Sequence, residues 1–350
     1  MRNEACLPIT EGQLRAAVSQ VLKGYGAAED EAQLVAESLV QAEMRGTDTH
    51  GLPYLKLLIE RIEARMVTVP TQVTIVRQDR ATGLLDGWNG IGQVAGWKAM
   101  ELSALKAREF GLGVTLVRNT NNIGFLAFYT LRAAEQGLVG MAMGNANAAI
   151  SPWGGAEAFF GTNPLCLAVP GSDEPLALDM SSSLVARGKI RKAQRLGEKI
   201  PLGWALDEFG VPTEDPDAAL KGTLVPIGGP KGYGLALMVD VLAGMLSGAA
   251  FGPEVKSFHQ LMGPTRVGAL MLAIDVERFM PLAQFRSLIK GYVDSIRSSR
   301  KAKGTSRIYL PGEIESEKEQ TCRAQGIRLS DPSVEMLNQF LEKANSSLRL

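Results

Sequence analysis

The stretch Gly161-Thr162-Asn163-Pro164-Leu165-Cys166-Leu167-Ala168-Val169 is the clearest indication of the fold, because a polar turn leads directly into a short apolar run. A run of four to eight apolar residues bounded by turn residues is typical of a buried strand. Similar runs occupy residues 73–76, 83–85, 113–117, 139–143, 176–178 and 271–274. Helical patterns separate them at residues 93–109, 125–136 and 233–246. This alternation predicts an α/β fold with a mixed sheet at its centre.

Both ends of the chain show helical periodicity instead. Thr10 and Gln13 have the spacing of a capping box, and helices are expected at about residues 28–44 and 54–64. Further helices are expected at residues 280–298, 316–324 and 331–343. We therefore predict two domains: a helical one from residues 1–71 together with 276–350, and an α/β one from residues 72–275.

Composition narrows the class of protein. The 350 residues are 45% hydrophobic and 21% charged, and 37 basic residues balance 37 acidic ones. Nucleic-acid and membrane-surface binding both draw on a basic field, so a net charge of zero argues against them. We expect a soluble protein with a small-molecule partner, and nothing in the charge opposes self-association.

Cysteine usage points to a reducing compartment. Cys6, Cys166 and Cys322 are far apart and form no CxxC pair, so we expect neither disulfides nor a metal site. No secretory signal and no apolar segment of membrane-spanning length is recognisable in the sequence. The expected location is cytoplasmic.

His50 is the candidate acid–base residue. It lies in the polar turn Thr47-Asp48-Thr49-His50-Gly51, where Asp48 or Thr49 could fix its tautomer. A neutral imidazole can both give and take a proton near neutral pH. The second histidine, His259, has no comparable neighbours in the sequence, and we expect it to be structural.

Glycine-rich segments offer several candidate anion sites. Gly90-Ile91-Gly92 with Gly96 is a weak match to a dinucleotide fingerprint, because the strand before it looks poor. Residues 178–183 and 229–234 are better candidates, since hydroxyls, backbone amides and Lys231 could hold phosphate there. Arg187 and Lys189 lie just beyond the first of these, and Arg187 could meet a 2′-phosphate or be a surface charge.

These motifs together resemble the malate/L-lactate dehydrogenase family of type 2. The resemblance covers residues 7–313 and follows eight segments in order: 45–51, 161–164, 178–180, 186–190, 200–205, 210–213, 231–235 and 310–313. It implies a non-Rossmann nicotinamide-binding fold with a mixed central sheet, flanked by N- and C-terminal helices and working as a homodimer. Residues 72–275 would then bind NAD or NADP.

The resemblance also assigns roles to individual residues. Its cofactor site matches Thr162, Asp179, Met180, Ser181, Ser182, Lys231, Gly232 and Gly312, to which we add Arg187 and Lys189. Its acid–base histidine matches His50.

Three departures from the family leave the substrate open. The family often has a second histidine where this chain has Asn122, and an arginine that grips the substrate carboxylate where it has Tyr54. The imine reductases of the family have an aspartate where this chain has Lys189. We expect Asn122 and Thr49 to support the reacting oxygen. Arg45, Tyr54 and Asn122 are the candidate substrate-binding residues, with Arg118 and Lys189 as other possible cations; alternatively, Tyr54 only packs.

The predicted function is hydride transfer between NAD or NADP and C2 of a 2-oxo or 2-hydroxy acid, with His50 as proton donor and acceptor. Two alternatives stay open at this point. One is a cyclic imine reductase that uses the same cofactor, and the other is a non-catalytic paralogue that binds a small molecule.

Overall fold

The computed structural model describes residues 8–350, apart from the side chain of Asp48. Cys6 and the proposed contact of Asp48 with His50 therefore lie outside the described residues. The helices are α1 Glu11–Gly24, α2 Glu29–Met44, α3 Leu52–Glu63, α4 Gly92–Phe110, α5 Ala127–Glu135, α6 Arg187–Leu196, α7 Pro216–Lys221, α8 Pro230–Val239, α9 Leu282–Ser298, α10 Glu313–Gln325 and α11 Asp331–Lys343. The strands are β1 Thr74–Asp79, β2 Thr82–Asp86, β3 Leu112–Thr120, β4 Leu138–Gly144, β5 Leu165–Val169, β6 Leu176–Met180, β7 Ala205–Leu206, β8 Pro212–Thr213, β9 Thr223–Leu224 and β10 Val267–Asp275.

A seven-stranded mixed sheet forms the centre of the molecule, in the order β1-β2-β3-β10-β4-β5-β6. Only β2 and β3 are parallel, while every other neighbouring pair in this sheet is antiparallel. The strand latest in the chain, β10, lies in the middle, and its side chains are mostly buried. The predicted mixed α/β fold is confirmed. A smaller sheet of β8, β7 and β9 lies apart from it.

The weak glycine fingerprint falls on the one parallel unit, β2-α4-β3. The strand expected at residues 83–85 is present as β2, and it is better buried than its sequence suggested, since Leu85 and Asp86 are buried. The glycines serve packing instead. A Cβ on Gly92 would lie 2.1 Å from the carbonyl oxygen of Asn122, and one on Gly96 would lie 2.9 Å from the Tyr129 ring. Protein atoms already occupy the space beside these two glycines.

The helical layer draws on both ends of the chain. The predicted capping box is present, with the Thr10 side chain accepting from the backbone N–H of Gln13. α1, α2, α3 and α11 share one apolar cluster, which also includes Ile91, Val94 and Phe258 from the rest of the chain. The two-domain division stays a prediction. Helix α9 has no buried residue in the single chain.

One buried cation fixes a distant loop against this layer. Arg61 on α3 is 1% exposed and donates to the carbonyl oxygens of Gln260 at 2.8 Å and Gly263 at 2.7 Å. Its guanidinium lies 5.0 Å from the ring centroid of Phe258, which in turn stacks on Tyr54 at 4.9 Å. The loop at residues 257–263 is therefore held at α3 by both hydrogen bonds and ring stacking.

We expect Arg61→Met to lower the free energy of unfolding by about 2–4 kcal/mol, because it leaves partly buried carbonyl groups without a donor. Lys56→Met is the matched control. Lys56 lies on the same helix, and its ion pair with Glu60 is exposed and 3.9 Å long, so its loss should cost under about 0.5 kcal/mol. Urea unfolding of both variants measures the difference, and equal stabilities would show that water replaces the guanidinium.

Candidate active site

Asp179 connects the edge of the sheet to a helix. It pairs with Cys166 across β5 and β6, and its Oδ2 accepts the backbone N–H of Ala127 at 2.9 Å, in the first turn of α5. An acidic group is stabilised at this end of a helix. Solvent still reaches much of the residue, but desolvation of the carboxyl group raises its pKa to about 6, while the bond from Ala127 and the charge of Arg45 oppose the rise.

The hydroxyl groups of the three serines after β6 form hydrogen bonds within the protein. Ser182 Oγ is within 2.8 Å of the carbonyl oxygens of both Thr162 and Asn163. Ser183 Oγ donates to the carbonyl of Val185, and Ser181 Oγ donates to that of Ser183. Our expectation that these hydroxyls would face a phosphate is therefore wrong for this arrangement. The segment leaves the regular ladder here, and its side chains satisfy carbonyls that would otherwise lack donors.

The serine segment leads across to the start of α8. The backbone N–H of Ile227 donates to the carbonyl of Ser182 at 2.8 Å, so the chain before α8 runs beside the serines. Thr162, Ser182 and the α8 turn are thus brought together, as the sequence predicted. Met180 packs against a small apolar cluster that contains Val239 at the end of α8.

The first turn of α8 has the features of an anion site. Gly228 and Gly229 have φ of 61° and 63°, a region that favours glycine. A Cβ on Gly232 would lie 2.2 Å from the carbonyl oxygen of Ile227, so only glycine allows this approach. Lys231 is exposed and has no carboxylate partner among the described residues. Free helix N–H groups and an unpaired ammonium are suited to phosphate.

His50 ends a 3-10 turn, Asp48–His50, between α2 and α3. Its Nδ1 lies 3.0 Å from the Oγ1 of Thr49, in accord with the expected role of Thr49 in fixing the tautomer. Burial, with a smaller contribution from nearby His259, lowers the pKa of His50 to about 4. The imidazole is therefore neutral at pH 7.

His259 lies closer to this site than the sequence suggested. It interacts electrostatically with His50, and burial together with Arg191 and Arg187 lowers its pKa. The expectation that His259 is structural rested on its neighbours in the sequence and stays a prediction. No local signal places it near His50, because contacts with α3, far away in the chain, hold the 257–263 loop.

Helix α6 forms the other side of the His50 turn. A Cβ on Gly188 would lie 3.0 Å from the Cγ2 of Thr49, so the first turn of α6 contacts this segment. Arg187 at its start donates to the carbonyl oxygen of Leu220 at 2.6 Å, at the end of α7. Lys189 is exposed and unpaired among the described residues. Arg191, which sequence analysis did not single out, lies one turn further along.

Two of the cations proposed to hold a carboxylate are already paired, whereas Lys189 is not paired among the described residues. Arg45 is buried and bonds to Glu319 at 2.6 Å, and Arg118 bonds to Asp86 at 2.9 Å. Tyr54 is 3% exposed and donates its hydroxyl to the carbonyl of Asn122 at 2.8 Å, which favours the packing role that we left open.

The remaining predicted residues lie as follows. Asn122 Oδ1 accepts the backbone N–H of Gly124, and no partner of its amide nitrogen occurs among the described residues. Gly312 begins α10 beside β6, where a Cβ would lie 2.7 Å from the carbonyl oxygen of Ala177. It also borders a groove of about 290 Å³ between the β5–β6 turn, α9 and α10.

Residues 8–350 contain neither a metal cluster nor a membrane-spanning helix. No group of three or more His, Cys, Asp or Glu side chains in this range is arranged to hold a metal ion. None of its helices has the length and apolar character that crossing a membrane requires.

The raised pKa of Asp179 predicts a pH effect on stability. Because its pKa is about 6 when folded and ordinarily 3.8, protonation favours the folded state. This contribution is fully present below pH 3.8 and is lost as the pH rises through about 6. Asp179→Asn should remove that loss while keeping an acceptor for Ala127. Urea unfolding at several pH values measures it, with exposed Asp173→Asn as the control, and an unchanged pH profile in Asp179→Asn would contradict the assignment.

Comparison with known proteins identifies the family. The profile of the malate/L-lactate dehydrogenase family matches residues 9–338. A malate dehydrogenase of Pyrococcus abyssi is 38% identical over 319 residues, which is 89% of this chain and 88% of the relative. A (2R)-3-sulfolactate dehydrogenase (NADP(+)) of Chromohalobacter salexigens is 40% identical over 261 residues, covering 74% and 78%.

Two further comparisons extend over almost the full length. A ureidoglycolate dehydrogenase (NAD(+)) of Escherichia coli is 32% identical over 327 residues, covering 93% of each chain. The crystal structure of a malate dehydrogenase from Entamoeba histolytica superposes with a TM-score of 0.94 at 31% identity, covering 98% of this chain and 99% of that one. The resemblance predicted from the motifs is confirmed, and the chain belongs to the malate/L-lactate dehydrogenase family.

Proposed function

We propose that this protein is an NAD- or NADP-dependent oxidoreductase that interconverts a 2-hydroxy acid and a 2-oxo acid. The observation that carries the proposal is the state of His50. It is a neutral imidazole with a hydroxyl at Nδ1 and with His259 nearby, and burial is the main cause of its lowered pKa. Such a group can accept a hydroxyl proton from an anionic substrate.

The residues around β6 and α8 fit a dinucleotide. Relatives named for NAD(+) and for NADP(+) support this choice of cofactor. Lys231 and the amides of the α8 turn would take the diphosphate charge, beside the backbone of Thr162 and of residues 179–182, with Gly312 at the far end of β6. Lys189 could bind a further phosphate, whereas Arg187 already donates a hydrogen bond to the carbonyl oxygen of Leu220. When bound, the nicotinamide accepts or supplies the hydride.

His50 would handle the proton. If its Nδ1–H donates to Thr49, Nε2 remains an acceptor and can take the proton of the substrate hydroxyl during oxidation. During reduction the same nitrogen returns the proton to the forming alkoxide. An anionic substrate nearby raises the pKa of the imidazole and so assists the protonated state. The unpartnered amide of Asn122 is our candidate donor to the substrate oxygen.

Two substitutions should separate chemistry from cofactor binding. His50→Ala should lower kcat by roughly 10²–10⁴-fold, because the proton acceptor is lost, with cofactor affinity nearly unchanged. Lys231→Gln should weaken cofactor binding by about 1–3 kcal/mol, because a charge-assisted contact is lost, with kcat at saturation nearly kept.

The measurements are steady-state rates on a panel of 2-oxo and 2-hydroxy acids, and titration of NADH and NADPH fluorescence with each variant. Near-normal turnover in His50→Ala would rule out its role. Unchanged affinity for both nucleotides in Lys231→Gln would rule out the α8 turn as their site.

We also propose that the protein is a homodimer in the cytoplasm. Leu235, Met238, Met245 and Leu246 form an apolar stripe along α8 and the π-helical turn Asp240–Met245, and each is 41–62% exposed in the single chain. Apolar patches of this kind mark association surfaces. The cytoplasmic location rests on Cys166 and Cys322, which are both free thiols.

The stripe predicts the outcome of a mass measurement. By light scattering, the wild type should have twice the mass of one chain, and Met238→Glu combined with Leu246→Glu should have the mass of one. Leu105→Glu, at an equally exposed leucine on α4, should leave the dimer intact. A monomeric wild type at micromolar concentration would refute the proposal.

A further inference from the structure

Arg187, Arg191 and His259 lie on elements that pack beside the His50 turn, and the carboxylate of Glu43 also lies there, where it accepts the backbone N–H of Leu52. His259, Arg187 and Arg191 all interact electrostatically. The guanidinium of Arg187 donates a hydrogen bond to the carbonyl oxygen of Leu220. Arg191 and His259 have no ion pair and no side-chain hydrogen bond among the described residues.

Two separate anchors hold this cluster in place. On one side, α6 approaches the turn so closely that a Cβ on Gly188 would meet Thr49 at 3.0 Å. On the other side, Phe258 stacks on Tyr54, one helical turn after His50, with the rings nearly parallel at 4°. The loop with His259 is also tied by Arg61 through Gln260 and Gly263. The cluster is therefore built from packed elements and does not depend on free side chains meeting by chance.

Burial is the main reason that the pKa of each histidine is lowered, and repulsion from nearby positive charge adds to the effect. A bound anion relieves this repulsion. A guanidinium suits a carboxylate because it offers parallel N–H donors, and a neutral imidazole can add one more.

Of the other cations considered in the sequence analysis, only Lys189 is unpaired among the described residues, and its substitution distinguishes it from Arg191. Arg45 is committed to Glu319 and Arg118 to Asp86. Tyr54 is buried and stacks on Phe258. An arginine at position 54 would add a second guanidinium beside buried Arg61.

We propose that Arg191 and His259 bind the carboxylate of the substrate next to His50. This inference rests on the proposed reaction of a 2-oxo or 2-hydroxy acid. Arg191 supplies the charge, and His259 supplies an N–H donor that fixes the orientation of the carboxylate. In this chain α6 and the 257–263 loop therefore supply the groups that bind the carboxylate, which Tyr54 does not bind.

The test uses Arg191→Gln and His259→Gln, with Lys192→Gln as control because Lys192 is the adjacent, exposed and unpaired cation of the same helix. Arg191→Gln should raise the KM of the 2-oxo acid by about 10–100-fold, and His259→Gln by a smaller factor, with kcat changed less than about threefold. The KM of the nucleotide should not move. Arg191→Lys should recover part of the loss.

A second measurement needs no turnover. Oxalate is an unreactive anion of similar shape, and its binding to the wild type with reduced nucleotide present can be followed by calorimetry. We expect Arg191→Gln to weaken it by the same factor as KM, and thermal unfolding should show that each variant is folded.

The outcomes separate the two proposals. Unchanged KM and oxalate affinity in folded Arg191→Gln and His259→Gln would overturn the inference while the proposed function stands. An effect carried by Lys189→Gln and not by Arg191→Gln would also overturn it. Oxalate binding that depends on Arg191, in a wild type that reduces no 2-oxo acid, would support the anion site and refute the proposed reaction.

Discussion

The buried guanidinium of Arg61 is the interaction on which the candidate site depends. It joins α3 of the helical layer to a loop nearly 200 residues later, through two short bonds to carbonyl groups and the face of Phe258. A buried cation must find hydrogen-bond acceptors or it destabilises the fold. The hydrogen bonds of Arg61 to the 257–263 loop also place His259 near His50 and hold Phe258 over Tyr54. One packing requirement thereby shapes both the core and the site.

Many polar residues that look like ligand contacts serve to hold backbone. Ser182 bonds to Thr162 and Asn163, Asp179 caps α5, and Arg45 pairs with Glu319. The first two satisfy backbone groups, and the third pairs two buried charges between α2 and α10. Some polar side chains, among them Lys231 and Arg191, have no ion-pair partner among the described residues. These side chains can bind a ligand.

The site also shows how local charge can differ from overall charge. The chain has a net charge of zero, yet Arg187, Arg191 and His259 interact electrostatically beside the His50 turn. Burial, with a smaller contribution from His259, keeps the imidazole of His50 neutral. A protein with balanced composition can therefore still group several cations around one site.

The sequence by itself determined the local elements and the family. Residues 165–169 and 331–343 were predicted with the bounds they have, since short apolar runs and helical periodicity are local signals. Helix α6 was missed because only Ile190 and Ala193 on it are buried, too few to show a stripe. Only the tertiary structure decided that β10 enters the middle of the sheet, that Tyr54 is sealed, and that His259 reaches His50. Those outcomes depend on contacts between residues far apart in the chain, and such contacts leave no periodicity for a sequence to display.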